Sequence, residues 1–450
     1  MRIGLWLLFA GLLILQLFVP PFIGLANNAD FGKVAGWLSL APVDGWDSNF
    51  VFFQPDWIRH QRDYWRSPYY SSETVLAWLA ATLSGATAAE GAHFDIRVLG
   101  AIHAAFLLAA MGIAVRWRAV AVAAILAFSD VCYIAYCNSF YMDAAAMCSL
   151  LLMVAAAAWM AVTERPTVVQ FLVYGFAGLV FVTSKTQHAI WFLLVTSFLA
   201  MQCRRGPRIA GALIAAVLLC AAGLELGTAE PSNRAQALFN KIFFQLGPMG
   251  ADLRELGVRP EEMRLVGTHS YMPGSPALDR PWVNAFYART GYGRLLVWYL
   301  RHPGGALRVL NQTLRTDAPA MRSENLSNYR REDGHPAGAR TDRFAGWSGI
   351  RSAMLARWPY LVAVWYVVFV AGCIRGRGRA GGLAHLALGV AVLGAGEFLV
   401  AALADCLETG RHLFLFHVCT DLTICFAVAA VVSGSLKTCV TSSSVPSSRP

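Results

Sequence analysis

Charge is what this sequence has least of: Asp, Glu, Lys and Arg make up 14% of its 450 residues, against roughly 25% in an ordinary soluble chain. Hydrophobic residues reach 57% and the mean hydropathy is +0.49, so lipid is the solvent for most of the chain. Walker, HExxH, GxSxG, paired CxxC and Rossmann signatures are all missing from credible contexts. The ten cysteines do not read as a disulfide framework. Cys148, Cys203, Cys220 and Cys425 fall inside or at the ends of apolar runs, where cysteine serves as a small packing group. The net charge of +10 does not argue for nucleic acid, because the basic residues punctuate the apolar runs and form no stripe beside aromatics.

What is there is a series of apolar runs near residues 3–25, 96–115, 119–137, 141–162, 170–184, 188–203, 208–226, 358–374, 383–403 and 413–433. Their lengths suit helices crossing roughly 30 Å of hydrocarbon. The expectation is an all-α membrane protein, a polytopic bundle of about ten transmembrane helices. The first run follows Arg2 like a secretory signal, but it continues to about Leu25 without a small-x-small cleavage pattern and reads as an uncleaved anchor.

Lys and Arg mark the cytoplasmic loops. Arg2, Arg116 with Arg118, the group Arg204, Arg205 and Arg208, the triplet Arg375, Arg377 and Arg379, and Lys437 share one side if ten spans alternate. Residues 26–95 and 227–357 are then extracytoplasmic, as are the short turns at 137–141, 184–187 and 404–412. The organisation that follows is an N-terminal transmembrane module over 1–226, a large external loop or small domain over 227–357, C-terminal transmembrane helices over 358–436 and a cytoplasmic tail over 437–450. A plasma (inner) membrane location, with the polar face towards the periplasm or exterior, is the corresponding expectation. Residues 56–70 mix Trp57, Tyr64, Trp65, Tyr69 and Tyr70 with Arg59, Arg62 and Arg66, the composition of interfacial amphipathic helices. Residues 72–84 are apolar enough to dip into the membrane. Pro, Gly and Arg between 321 and 343 suggest a mobile segment.

Four polar clusters gather on the side with few basic loops. NNADFGK carries Asn27, Asn28, Asp30 and Lys33; its Asp is either a base or metal ligand, or the first-turn acid of a capped interfacial helix. CNSFYMD carries Asn138, Ser139, Tyr141 and Asp143, with Asp143 equally explained by a helix dipole. SKTQH sets Lys185, Gln187 and His188 in one short turn, a seat for a phosphate or a snorkelling lysine. ADCLETGRH carries Asp405, Glu408, Arg411 and His412, where Arg411 either pairs with Glu408 or receives a lipid phosphate. Ionisable residues at this depth are costly, and packing alone gives little reason for four such clusters on one face. His103, Asp130, His385 and Glu397 lie inside spans, where helix-to-helix hydrogen bonding is the commoner role. Asp44 and Asp47 are further first-loop acids. Asn311 with Thr313 and Asn325 with Ser327 form sequons to which no role is given.

The first-loop Asp after the first helix, the interfacial aromatics, the outer Lys and His, the Arg-bearing last turn and the large external segment together resemble the GT-C superfamily of integral-membrane glycosyltransferases. NNADFGK, NSFYMD, SKTQH and ETGRH look most like the hexose transferases of bacterial surface-layer glycan biosynthesis. The resemblance implies transfer of a hexose from a polyprenyl-phosphate-linked donor to a glycan or lipid-linked acceptor, on a membrane-embedded scaffold among membrane lipids and without nucleic acid. By that resemblance Asp30 is the catalytic base, and Lys185, His188 and Arg411 hold the donor phosphate. Asn28, Asn138, Tyr141, Asp143, Gln187, Glu408 and His412 support them. Many members carry adjacent acids in the first loop, whereas Ala29 precedes Asp30 here. No residue set is therefore assigned to a metal, although a divalent cation, Mg or Mn, is left open.

A transporter or flippase of a lipid-linked or anionic substrate is the competing reading, with Glu397 as its best residue. Carriers place their sites at the midplane between related halves, and here the polar residues favour one boundary and the halves look unlike. A glycan polymerase or ligase fits the same outer basic site.

Overall fold

The computed structural model describes residues 1–60, 69–228, 231–323 and 326–441, without the side chains of 231–232, 377–380 and 433–441. The expectations for Arg62, Tyr64, Trp65, Arg66 and Asn325, for the side chains of Arg377, Arg379 and Lys437, and for the end of the tail fall outside the described residues.

Each of the ten apolar runs forms helix, but their lengths differ. Among the described residues, five helices are long and apolar enough to cross a membrane: Arg97–Ala114, Met142–Val162, Arg208–Thr228, Gly381–Ala404 and Phe414–Val432. The number rises to seven when each of two bent pairs counts as one span: Arg118–Phe128 with Val131–Asn138, bent by 68°, and Gly346–Arg357 with Leu361–Gly376, bent by 102°. Arg2–Leu17 and Val168–Val182 are shorter apolar helices, and Phe192–Cys203 has only 12 residues. The first run stops as helix at Leu17, ahead of Pro20 and Pro21, because proline lacks the N–H a continuing helix needs. A left-handed Gly381, at φ 48°, divides Leu361–Ala404 into two arms.

The centre of the bundle is Met142–Val162. Ala144, Ala146, Ala156 and Ala157 are wholly buried, and such small residues let the backbones of Arg97–Ala114 and Val168–Val182 approach closely. Arg208–Thr228 lies at the periphery and presents Leu213, Val217, Leu219 and Leu224 outward. Local signals set the ends of several helices. Ser71 accepts from the Glu73 N–H, Thr167 and Gln170 form a reciprocal capping box, and Asp130 accepts from the Cys132 N–H at the 68° bend.

The first long loop departs from the interfacial-helix expectation. Residues 56–59 are not helical: Asp56–Arg59 (β2) pairs antiparallel with both Leu40–Pro42 (β1) and His93–Asp95 (β3). The reason is the two-residue period of a strand. Trp57 is fully buried against Phe31, Trp46 and Phe140 while Asp56 faces out. Ser72–Leu83 is a helix with Val75, Trp78, Leu79 and Leu83 exposed on one side.

Residues beyond 231 build a second apolar core from Phe239, Phe243, Leu256, Val283, Phe286 and Trp298. This helical layer is bolted to the end of Gly381–Ala404. Lys241, itself wholly buried, donates to the carbonyls of Ala402 and Asp405. The Tyr292 and Tyr299 hydroxyls donate to Ala404 and Leu403 at 3.3 Å and 3.2 Å. Those carbonyls are the orphan acceptors of a helix C-terminus, so the second layer fixes the point from which residues 405–412 depart.

Candidate functional site

Four separate stretches of chain converge where the Gly381–Ala404 helix ends. The segment after Leu17 runs extended to Asn28 and Asp30 and is tied down by Asn138, whose Nδ2 donates to the carbonyls of Leu17 and Ile23 at 3.1 Å and 2.8 Å. The 405–412 turn brings in Glu408 and Arg411. The start of Met142–Val162 contributes Tyr141 and Asp143, with Lys185 from the turn after Val168–Val182.

Arg411 binds the two acids of the convergence. Its Nη1 donates to Asp30 Oδ2 at 2.7 Å and its Nη2 reaches Glu408 Oε2 at 3.0 Å, and its guanidinium lies 5.4 Å from the Tyr141 ring centre. Lys33 Nζ holds the other Asp30 oxygen at 2.7 Å. Asn28 joins the sides, donating to Glu408 Oε2 at 2.5 Å and accepting from the Tyr141 hydroxyl at 2.6 Å. Lys185 Nζ sits between both oxygens of Asp143, 2.7 Å from each. The Arg411 side chain is only 5% exposed, whereas Asp30 is 17% and Glu408 28% exposed, so the cation is the more deeply buried partner.

Backbone conformation marks the same place. Ala29 and Glu408 both adopt positive φ, 82° and 55°, which costs free energy for residues with a Cβ. Ala29 lies between Asn28 and Asp30, and Glu408 itself contacts Arg411.

The charges are strongly coupled. Burial raises the Asp30 carboxyl, but the Lys33 and Arg411 charges more than offset it and hold the group below the usual carboxylate range, with Lys185 adding to the effect. Burial lowers Lys33 and Asp30 raises it, for a net rise. Arg411 is likewise held protonated by Asp30 and Glu408 against its burial. His412 is lowered by burial and by Arg411, and its Nε2 lies 3.5 Å from Asp405 Oδ2.

Asp30, Asn28, Tyr141, Glu408 and Arg411 thus share one network, with Lys185 and Asp143 paired beside it. His188 is placed differently: it is wholly buried, stacked on Phe181, with Nδ1 2.8 Å from Ser184 Oγ and Nε2 3.3 Å from Gln187. Gln187 turns away towards Glu397, which accepts from Gln187 Nε2 at 3.1 Å and Trp191 Nε1 at 2.6 Å. Glu397 therefore joins helices, as in-span polar residues commonly do. Asn138 braces backbone, as described above. Lys33 is the residue that sequence reasoning left without a role, although its i,i+3 spacing from Asp30 was a visible signal. His103, inside its span, bonds Glu73 of the neighbouring helix at 3.1 Å, the helix-to-helix role its position suggested, whereas Glu73 carried no signal in the sequence. Among the described residues, no three His, Cys, Asp or Glu side chains group as a metal-ligand set.

Neither the curated proteins nor the solved structures give a match to this chain. The family model described as the YfdI N-terminal transmembrane domain matches residues 2–444, and the chain, a multi-pass helical membrane protein, belongs to that family.

Proposed function

We propose that this protein is a membrane glycosyltransferase that moves a hexose from a polyprenyl-phosphate-linked donor to a glycan or lipid-linked acceptor, at the extracytoplasmic end of the bundle. The observation that carries the reading is the contact of Arg411 with Asp30, which supports a base and a phosphate-binding cation held in one polar network. Membership of the YfdI-type transmembrane family agrees with it.

The chemistry follows from the pairs. A donor phosphate offers Arg411 and Lys185 a better-matched anion than a single carboxylate, since a guanidinium binds phosphate in a fork and an ammonium binds it as a point charge. As the phosphate takes Arg411, Asp30 loses one of the two cations that hold its proton affinity down. The freed carboxylate accepts the proton of the acceptor hydroxyl. That oxygen bonds to the anomeric carbon, the bond from carbon to phosphate oxygen breaks, and the electron pair leaves with the phosphate. Arg411 and Lys185 then face the charge that builds on the departing oxygen. Tyr141 and Asn28 keep Glu408 in place behind Arg411. Asp30 already faces two cations, which does not suit a divalent ion at the same carboxylate, so no step is routed through a metal.

The test is sugar transfer in membranes supplied with radiolabelled polyprenyl-phosphate hexose, comparing wild type with Asp30→Asn and Arg411→Ala at matched expression. Loss of transfer in Asp30→Asn with donor binding retained supports the reading. Inactive wild type across a panel of lipid donors and acceptors, or full activity in both variants, overturns it and favours a carrier of an anionic or lipid-linked substrate.

A further inference from the structure

A second polar feature lies away from the Asp30–Arg411 network. A cavity of about 390 Å3 opens between the first-loop sheet and residues 330–332, lined by Asp44, Gln54, Asp56, Arg330, Arg331 and Glu332. Its size falls within the range of small-molecule sites. Gln54 is 4% exposed; its Oε1 accepts from the Asp44 N–H at 3.3 Å, while its Nε2 has no partner. A buried amide donor without a partner is costly, and its residue is part of the cavity wall.

The lining selects the ligand. Three carboxylates, Asp44, Asp56 and Glu332, share the lining with two guanidinium groups, so neither a bare anion nor a bare cation is favoured, and Arg330 is already engaged by Asp333 at 2.8 Å and by Glu332. The remaining groups are planar donors and acceptors, the set that pairs with the vicinal hydroxyls of a neutral sugar. The cavity is also wired to the site. The Phe53 N–H donates to Tyr329 O, the Ala26 N–H to Ser327 O and the Asn27 N–H to Asn49 O, at 2.8, 2.7 and 2.8 Å. Both cavity walls are therefore bonded to the strand of chain that ends in Asn28 and Asp30. Along this seam Asn27 Nδ2, both side-chain polar atoms of Asn49, and Asn328 Oδ1 are buried without partners.

We infer that the cavity between Asp44, Gln54, Asp56 and Arg331 is a saccharide subsite, holding a neutral sugar of the acceptor beyond the residue that reacts. The inference rests on the transferase reading for the word acceptor, but the binding can be measured without transfer.

The test uses the full-length protein in nanodiscs and a panel of short neutral hexose and deoxyhexose oligosaccharides, read by saturation-transfer NMR, with wild type, Asp44→Ala, Asp56→Asn, Arg331→Ala and Asp30→Asn. The expected result is saturable binding of at least one neutral saccharide, weakened about tenfold in each of the three cavity variants and less in Asp30→Asn. Binding that survives unchanged in all three cavity variants, or none by a wild type whose melting is normal, overturns it. The two readings fail separately. Saccharide binding that depends on the cavity in a protein that transfers nothing removes the transferase and leaves the subsite. Transfer with an acceptor KM unchanged in all three cavity variants removes the subsite and leaves the transferase.

Discussion

Arg411 Nη1 and Asp30 Oδ2 lie 2.7 Å apart across 381 positions of sequence, and the same guanidinium holds Glu408 one turn back. One cation therefore sets the charge state of a carboxylate from the first loop and fixes the last turn at once.

Asp30→Asn keeps the shape of the side chain and one acceptor oxygen for its neighbours while removing the proposed base. Transfer is expected to fall by about 10²- to 10⁴-fold, with donor binding unchanged or tighter because Arg411 and Lys33 lose a competing anion. Single-turnover transfer and donor titration check this; wild-type turnover in the variant would remove Asp30 from the chemistry.

Arg411→Lys is not a conservative change here, because one ammonium cannot bridge two carboxylates as the fork does. Losing one of the two charge-assisted hydrogen bonds costs about 1.5–3 kcal/mol, so both the melting temperature in detergent and transfer should drop. In a double-mutant cycle with Asp30→Asn the two losses should be less than additive, since either substitution already breaks their shared contact. Purely additive losses would mean that the two side chains do not interact in solution.

The pH dependence has a definite sign. Asp30 is held below its ordinary value, so its contribution to stability is fully present above about pH 4 and disappears only as pH falls through the lower folded value. The acid limb of kcat/KM, which reports the free enzyme, should therefore not come from Asp30 above about pH 4. In Lys33→Met, burial persists while a compensating charge is gone, and an acid limb should move upward into the measurable range. Superimposable profiles for wild type and variant would refute the coupling.

Lys241→Met leaves the Ala402 and Asp405 carbonyls without their buried donor. A loss of about 1–3 kcal/mol is expected, together with slower transfer, because the clamped helix end is where the turn to Glu408 and Arg411 begins. Thermal unfolding in detergent decides it: unchanged melting would show that Tyr292 and Tyr299 suffice.

Gly100→Ala probes the brace on the other side. A Cβ there would collide with Asn138 Oδ1, displacing the amide that holds Leu17 and Ile23. Overpacking of about 1–3 kcal/mol is the expected penalty, and Asn138→Ala should lessen the extra cost of the alanine. If Gly100→Ala melts like wild type, Asn138 does not anchor the approach to Asp30.

Much of this was readable from residues alone, for physical reasons. Runs without charge must be helical in lipid, since no water is there to satisfy the backbone, and all ten apolar runs contain helix. The grouping of polar residues at 27–33, 138–143, 185–188 and 405–412 followed from the cost of burying charge in hydrocarbon. The helix ends at Ser71, Asp130 and Thr167 carry local capping signals. Other features had no local signature. The short strand at Asp56–Arg59 was hidden among aromatic and basic residues that suit an interfacial helix equally well, and only its partners Leu40–Pro42 and His93–Asp95 make it a strand.

What the tertiary structure alone decided is which charges meet. Sequence spacing put Lys33 and Glu408 within reach of Asp30 and Arg411 respectively, but it carried no information on the pairing of Arg411 with Asp30 or of Lys185 with Asp143. Nor could it show that His188 stacks inward on Phe181 while Gln187 turns to Glu397. Side-chain ion pairs form over a few ångströms, and segments hundreds of residues apart reach that range only after the helices pack, so the choice of partner belongs to the packing and not to the pattern.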